Sequence, residues 1–229
     1  MVIGIIGAMD AEVAALKQKM NIESTEVISG IEFCKGALCG KSVVVAKCGV
    51  GKVFAAICAQ TMILRFGTTH LINTGVGGAL DPKLDLLDLV VSDKVVQHDM
   101  DTSPLGDPVG LVSGINKVYF EASPLLLDAA KRAADTAGVP CFTGTIASGD
   151  QFVADSNTKA EIVKRFGARI CEMEGAAIGH VCYVNGVDFL IVRAVSDSAN
   201  ENSVMDFPQL VSRAAVISSN LVEAIVAGV

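Results

Sequence analysis

The sequence predicts an α/β protein in which helices flank a central mixed β-sheet. Short runs rich in β-branched residues alternate with segments whose apolar residues recur at helical spacing, the pattern of strands joined by crossovers. Apolar residues make up 51% of the 229 residues, which is enough for a substantial core. No long linker rich in Pro, Gly or Ser and no run of charge divides the chain. We therefore expect one domain over residues 1–229.

Strands and helices are predicted in regular alternation. The predicted strands cover residues 2–8, a hairpin of 26–34 and 37–48, a strand from 70 that ends in a glycine turn before 79, and then 88–98, 141–147, 168–171 and 188–195. The predicted helices cover 10–20, 53–65, 124–137, 159–166 and 175–183, with a last one from about 208. Ser123-Pro124 is a typical helix start. Residues 102–116 form the longest irregular stretch, and we expect this loop to cover a pocket.

Composition disfavours several classes of partner. A net charge of −7 and a pI near 4.9 argue against nucleic acid, because phosphate binding needs clustered Lys and Arg. The mean hydropathy of +0.51 is high, but charged or polar residues interrupt the apolar runs, so we expect no membrane-spanning segment. Residues 1–9 are interpreted as a buried strand rather than a signal peptide, because Asp10 and Glu12 follow too early.

The cysteines and histidines predict a reduced protein without a metal site. The seven cysteines are an odd number and lie mostly within apolar runs, which is typical of core cysteines in a cytoplasmic protein. There is no Cys-x-x-Cys pair, and the three histidines are far apart in sequence. The cluster His98-Asp99-Met100-Asp101 is interpreted as hydrogen-bonding a loop, because no second acidic cluster accompanies it.

Polar residues follow several of the predicted strands. Glu12 comes after the first strand, 172–174 after the strand at 168–171, and 193–197 at the end of the strand at 188–195. Ligands of open α/β sheets bind outside the carboxyl ends of the strands, so we expect a site there. The residues alone leave two questions open. Glu12 could equally be an acid favoured by the helix dipole, and the spacing of Glu172 and Glu174 does not say which one acts.

Six stretches carry a resemblance to a known family. They are Gly4-Ile-Ile-Gly-Ala-Met9 with Glu12, Gly49-Val-Gly-Lys52, Asn73-Thr-Gly75 with Gly77-Gly78, Ser148-Gly-Asp-Gln-Phe152, Glu172-Met-Glu-Gly175 and Arg193-Ala-Val-Ser-Asp197. In this order, over essentially the whole chain, they resemble the 5'-methylthioadenosine/S-adenosylhomocysteine nucleosidases. The resemblance implies a three-layer sandwich of the nucleoside phosphorylase type, a homodimer, and hydrolysis of the adenine–ribose bond without metal or cofactor.

The resemblance also implies roles for the polar residues. Asp197, supported by Ser196, would protonate N7 of adenine, and Glu12, helped by Arg193, would position and deprotonate the attacking water. Glu174 would hold the ribose hydroxyls, which leaves Glu172 a structural role. Cleavage of an N-ribosidic bond needs this division, because positive charge develops on the sugar and negative charge on the base. We expect the acid to sit in a dry or anionic setting.

The apolar residues would bind the rest of the nucleoside. The backbone at Met173 would also contact the ribose, main-chain groups near Phe152 and Val153 would contact the edge of the base, and the Phe152 ring would stack on it. The 5'-alkylthio pocket would be lined by Met9, Val50 and Phe207. Leu105 of the partner subunit would complete it. Val76 stands where many relatives carry serine, and is left out of the catalytic residues.

Two other functions remain open at this stage. A nucleoside phosphorylase would need a site for a phosphate dianion, which a carboxylate at Glu12 would repel. A protein that binds adenine nucleosides without cleaving them would not need all three catalytic carboxylates. The sequence does not rank methylthioadenosine, S-adenosylhomocysteine, 5'-deoxyadenosine and futalosine-type substrates.

Overall fold

The computed structural model describes residues 1–197 and 207–229, with side chains of the last helix from Gln209 onward. The strands are β1 Ile3–Gly7, β2 Asn21–Ile28, β3 Ile31–Leu38, β4 Lys41–Lys47, β5 His70–Ala79, β6 Leu89–Gln97, β7 Tyr119–Glu121, β8 Cys141–Ser148, β9 Ile170–Glu172 and β10 Asp188–Asp197. The α-helices are α1 Asp10–Lys19, α2 Lys52–Phe66, α3 Pro124–Ala137, α4 Ser156–Phe166, α5 Gly175–Asn185 and α6 Phe207–Gly228. A 3-10 helix covers Ser103–Leu105.

The strands form one mixed sheet, which confirms the predicted fold class. Its order is β10-β6-β8-β9-β5-β1-β4-β3-β2, with β7 on β6. β1 pairs in parallel with β4 and β5, whereas β10 is parallel to β5 and antiparallel to β6. The extra pairing of β10 with β5 closes five strands into a ring, β5-β10-β6-β8-β9. Helices α1, α3 and α6 pack together in one group, and α2 packs on α5 in another.

The predicted hairpin of 26–34 and 37–48 is wrong, because this segment forms three antiparallel strands, β2, β3 and β4. The turns lie at Ser29-Gly30 and Cys39-Gly40, where both residues have positive φ, as a two-residue type I′ hairpin turn requires. Gly36, which we had placed between two strands, lies inside β3. A Cβ atom there would overlap the carbonyl of Asn21 on β2, so only glycine lets the two strands pair this closely.

The predicted glycine turn before residue 79 is also wrong, since β5 continues through Gly75, Gly77 and Gly78 to Ala79. Strand β7 was not predicted. By contrast, α3 has the predicted bounds: Pro124 is at its start and Gly138, in the left-handed conformation, ends it.

Helix α6 has a length and composition that the sequence interpretation did not anticipate. Over Gln209–Gly228 it is long and apolar enough to cross a membrane by those two criteria, and half of this stretch is buried in the fold. Two of its serines bond to the rest of the protein: Ser218 Oγ lies 2.8 Å from Thr74 Oγ1, and Ser219 Oγ donates to the carbonyl of Glu12 (2.9 Å). These contacts are those of a core helix.

Candidate active site

A cavity of about 230 Å³ is lined in part by residues on or directly after the strands β1, β5, β9 and β10. Its lining includes most of the residues predicted for the site: Met9, Glu12, Val50, Phe152, Val153, Met173, Glu174, Ser196 and Asp197. Arg193 is almost fully buried behind them. The parallel strands thus bring together residues up to 185 positions apart, here Glu12 and Asp197.

Glu12 is buried in the first turn of α1, and its carboxylate is held by backbone groups. Oε2 accepts hydrogen bonds from the N–H groups of Ala8 (2.6 Å) and Met9 (2.9 Å), and Oε1 from that of Val76 (3.1 Å). Burial raises the pKa of Glu12 above its usual value, whereas the charge of Arg193 and the three N–H groups act to lower it. The bond from Met9 also caps α1, so the same carboxylate caps the helix and lines the cavity.

The glycines of β5 make room for the polar side chains. A Cβ atom on Gly75 would lie 2.5 Å from Glu12 Oε1 and 3.3 Å from Arg193 Nη1. One on Gly78 would lie 2.9 Å from Asp197 Oδ2. Both distances are too short for a real side chain, so β5 must be glycine at these positions for the carboxylates to approach it.

Glu174 immediately precedes α5 and points toward the turn before α2. Its Oε1 accepts a hydrogen bond from the N–H of Gly51 (2.8 Å), whose φ of 102° is in the region that favours glycine. Burial, followed by the like charge of Glu172, raises the pKa of Glu174 to about 7, although Arg193 and the Gly51 N–H act to lower it. The glycine turn at 49–51 therefore donates a backbone hydrogen bond to a carboxylate that lines the cavity.

Arg193 links the strands behind the cavity. Its Nη2 donates to Glu172 Oε2 and to Asn73 Oδ1, and lies 3.9 Å from Glu174 Oε2. Burial alone would lower the pKa of Arg193, but the charges of Glu172, Glu174 and Glu12 together raise it. The guanidinium is therefore a permanent cation among three carboxylates.

Asp197, at the end of β10, is partly buried and is bound by its neighbour in sequence. Ser196 Oγ donates to Asp197 Oδ1 (3.0 Å). The ammonium group of Lys159 on α4 lies 3.7 Å from Asp197 Oδ2, and both side chains are largely buried. The setting of Asp197, which we expected to be dry or anionic, therefore also contains a cation.

The apolar lining has a buried part and an exposed part. Val153 is buried, and Met9 and Met173 are partly buried. Phe152 is 67% exposed and Val50 is 51% exposed. Large apolar groups at the mouth of a cavity are suited to the flat face of a base or to an alkyl substituent.

Two predicted residues lie elsewhere or outside the described part of the chain. Leu105 belongs to the 3-10 helix, is 84% exposed and is not part of the lining, which agrees with its assignment to the site of a partner subunit but does not test it. The side chain of Phe207 lies outside the described residues. Val76, which we had set aside, lines the cavity and holds Glu12 through its backbone N–H.

The cluster at 98–101 hydrogen-bonds neighbouring segments. Asp99 forms an ion pair with Lys52 (2.6 Å) and accepts from the backbone N–H of Asp150 (2.9 Å). Within residues 1–197 and 207–229, no group of three or more His, Cys, Asp or Glu side chains is placed to hold a metal ion.

Sequence reasoning gave Glu172 a structural role and gave Asn73 none. Glu172 is bound to Arg193 and to Ser148, and Asn73 fixes the other side of Arg193. Gln151 and Val211, which were not predicted, also line the cavity. The paired carboxylates at 172 and 174 and the motif at 73–75 were visible in the sequence, but the contacts that join them are long-range.

Buried carboxylates around one arginine, with a further carboxylate at the end of a neighbouring strand, lie on a fold of the nucleoside phosphorylase type. In agreement, the family model of the Phosphorylase superfamily matches residues 2–227. The chain is also 42% identical, over 99% of its length and 98% of the relative's, to a 5'-methylthioadenosine/S-adenosylhomocysteine nucleosidase from Psychromonas ingrahamii. The chain therefore belongs, within that superfamily, to the 5'-methylthioadenosine/S-adenosylhomocysteine nucleosidase family.

Two solved structures are similar over the whole chain. One is the 5'-methylthioadenosine/S-adenosylhomocysteine nucleosidase of Neisseria meningitidis in complex with methylthio-immucillin-A, with a TM-score of 0.95, 36% identity, and coverage of 100% of this chain and 99% of that one. The other is the native futalosine hydrolase of Helicobacter pylori, with a TM-score of 0.95, 33% identity, and coverage of 100% and 98%. These similarities confirm the family resemblance drawn from the motifs.

Proposed function

We propose that this protein hydrolyses the N-ribosidic bond of 5'-methylthioadenosine and S-adenosylhomocysteine, releasing adenine and the 5'-substituted ribose. The observation that carries the proposal is the environment of Glu12: a buried carboxylate whose pKa is raised and which lines the cavity with Glu174 and Asp197. A general base is most effective when its pKa is near the working pH. Membership of the nucleosidase family supports the same reaction.

In this mechanism Glu12 takes a proton from water, whose oxygen attacks C1' of the ribose as the bond to N9 of adenine breaks. The electron pair of that bond goes to the base, and Asp197 gives its proton to N7. Glu174 accepts hydrogen bonds from the ribose hydroxyls. Ser196 and Lys159 hold the carboxyl group of Asp197 in place. The proton on Glu12 then returns to Asp197 through solvent.

The proposal excludes phosphate as the nucleophile. Glu12, Glu172 and Glu174 surround a single guanidinium, so an approaching dianion would meet an excess of negative charge. The test is release of adenine from 5'-methylthioadenosine in phosphate-free buffer. Strict dependence on phosphate would make the protein a phosphorylase, and intact nucleoside after long incubation would make it a binding protein.

The substrate range is open to a direct comparison. We propose that 5'-deoxyadenosine is also cleaved, because the 5' substituent meets an apolar wall formed in part by Met9 and Val50. A panel of methylthioadenosine, S-adenosylhomocysteine, 5'-deoxyadenosine and a futalosine-type nucleoside would rank them by kcat/KM. A futalosine-type nucleoside as the best substrate would overturn the choice of adenine nucleosides.

We propose a cytoplasmic homodimer in which Leu105 of the partner subunit completes the 5' pocket. Support comes from exposed apolar side chains on the first half of α2, Val53, Phe54 and Ile57, beside the cavity mouth at Val50. All seven cysteines are free, as in a reducing compartment. Light scattering should give twice the chain mass. Leu105→Asp should raise KM, whereas Val27→Asp on the exposed edge strand β2 should not.

A further inference from the structure

We propose that Glu172 is a positioning residue of the ribose subsite, which holds the guanidinium of Arg193 away from Glu174 and so keeps Glu174 free to bind the ribose hydroxyls. This inference rests on the proposed nucleosidase function. It assigns Glu172 a part in catalysis, whereas the sequence alone assigned it a structural role.

The carboxylate of Glu172 is surrounded by donors and cannot itself bind a ligand. Its side chain is 2% exposed. Oε2 accepts from the N–H of Glu174 (3.0 Å), from that of Gly175 (2.8 Å) and from Arg193 Nη2, while Oε1 accepts from Gly175 (3.0 Å) and from Ser148 Oγ. Because its oxygens are occupied in this way, Glu172 can influence the reaction only through the groups it holds and through its charge.

One of those groups is the backbone that carries Glu174. The bonds to the N–H groups of Glu174 and Gly175 fix the turn that leads into α5. Ser148 extends this hold, since its Oγ also accepts the N–H of Ala176 (2.7 Å). A Cβ atom on Gly175 would lie 3.2 Å from Glu172 Oε1 and 2.9 Å from a methyl group of Ile191, so these side chains would have to shift to admit one.

The other group is the guanidinium of Arg193. Its Nη2 is bound between Glu172 and Asn73, which leaves 3.9 Å to Glu174 Oε2, longer than a hydrogen bond. Its Nη1 donates to the backbone carbonyl of Val192 (3.0 Å). Arg193 is thus committed to Glu172, and Glu174 has only the N–H of Gly51 as a close partner among the described residues.

The titratable groups that act on Glu174 lie on several elements around it. They are Glu172 on β9, Arg193 on β10 and Glu12 on α1, together with the neutral thiol of Cys48 after β4. Burial and Glu172 hold the pKa of Glu174 at about 7. Loss of the charge of Glu172 would lower this pKa in two ways, because a like charge disappears and Arg193 is released toward Glu174.

The substrate binds the ionised form of Glu174, since a carboxylate accepts two hydrogen bonds from a ribose diol. In the wild type, with a midpoint of about 7, KM should therefore be about tenfold higher at pH 6 than at pH 8.5. If Glu172→Gln lowers the midpoint by about one unit, this ratio falls to about twofold. The amide keeps the shape of the side chain, but without the negative charge it holds Arg193 less strongly.

Initial rates of adenine release from 5'-methylthioadenosine, measured at several pH values for wild type, Glu172→Gln and Glu23→Gln, test the proposal. Glu23→Gln is the matched control, because it removes a glutamate charge on the exposed strand β2, and it should keep the wild-type ratio of KM values. An unchanged ratio in Glu172→Gln would overturn the proposal and leave Glu172 a structural residue.

A binding measurement on the wild type keeps the proposal testable if Glu172→Gln does not fold. The probe is a 7-deazaadenine nucleoside with a 5'-methylthio group, which has no N7 to protonate. Calorimetry in two buffers of different ionisation enthalpy should find about half a proton released on binding at pH 7, as Glu174 ionises. No proton release would overturn the inference, whereas absence of adenine release from every nucleoside by folded wild type would overturn the proposed function.

Discussion

Replacing Glu12 by Gln tests the central step of the mechanism with little change of shape. The amide oxygen can take the place of Oε2 and accept from Ala8 and Met9, which leaves the amide N–H₂ facing the N–H of Val76. One lost hydrogen bond and a donor facing a donor cost roughly 1–3 kcal/mol of stability. Removal of a buried carboxylate offsets part of this cost. The variant should therefore fold.

The effect on turnover should be much larger than the effect on stability. An amide cannot take a proton from water, and loss of a general base lowers the rate by about 10²–10⁴-fold. Adenine release from 5'-methylthioadenosine measures turnover, and calorimetry with the 7-deaza nucleoside measures binding, which should persist. Glu26→Gln on the exposed strand β2 is the matched control and should have wild-type activity. A Glu12→Gln protein that keeps more than about a tenth of the rate would refute Glu12 as the base.

Three further predictions concern the rest of the site. Asp197→Asn should fold normally and lose nearly all adenine release, by about 10²-fold or more, and retention of about a tenth of the rate would contradict its role as the acid. Gly75→Ala should displace Glu12 and lower kcat at least about tenfold, because its Cβ would lie 2.5 Å from Glu12 Oε1, whereas Gly228→Ala, with nothing within 4 Å, should not. Glu174→Gln should stabilise the fold increasingly as the pH rises. The raised pKa means that the wild type loses unfolding free energy between about pH 4.5 and 7, so urea titrations should show a larger gain at pH 8 than at pH 5, and an equal gain would contradict the raised pKa.

Local signals in the sequence predicted the elements that local chemistry determines. Helix α3 has the predicted bounds because Pro124 and Gly138 mark its two ends. The glycines at 36 and 75–78 misled the interpretation, since glycine is typical of turns. In the structure they lie inside β3 and β5, where Asn21 of β2 and the side chains of Glu12 and Asp197 approach the strand too closely for a Cβ atom. That requirement is a long-range property, and no local pattern contains it.

The same distinction applies to the site. The sequence motifs identified site residues at the strand ends. The structure brings nine of the twelve predicted site residues to the cavity lining, because parallel strands end at one edge of the sheet. The hold on Arg193 could not be predicted in this way. Its partners Glu172 and Asn73 are 21 and 120 residues away in sequence, and only the ring formed by β5, β10, β6, β8 and β9 makes them neighbours.

The charge balance of the site connects its structure to the choice of reaction. Glu12, Glu172 and Glu174 are three carboxylates around one guanidinium, in a cavity that excludes most of the solvent. An excess of negative charge is costly there, which is why Glu174 titrates near neutrality and why backbone N–H groups are needed to hold Glu12. In the proposed mechanism, the same excess would stabilise the positive charge that develops on the ribose as the bond to the base breaks. It would also repel phosphate, so one electrostatic arrangement would both disfavour phosphorolysis and favour hydrolysis.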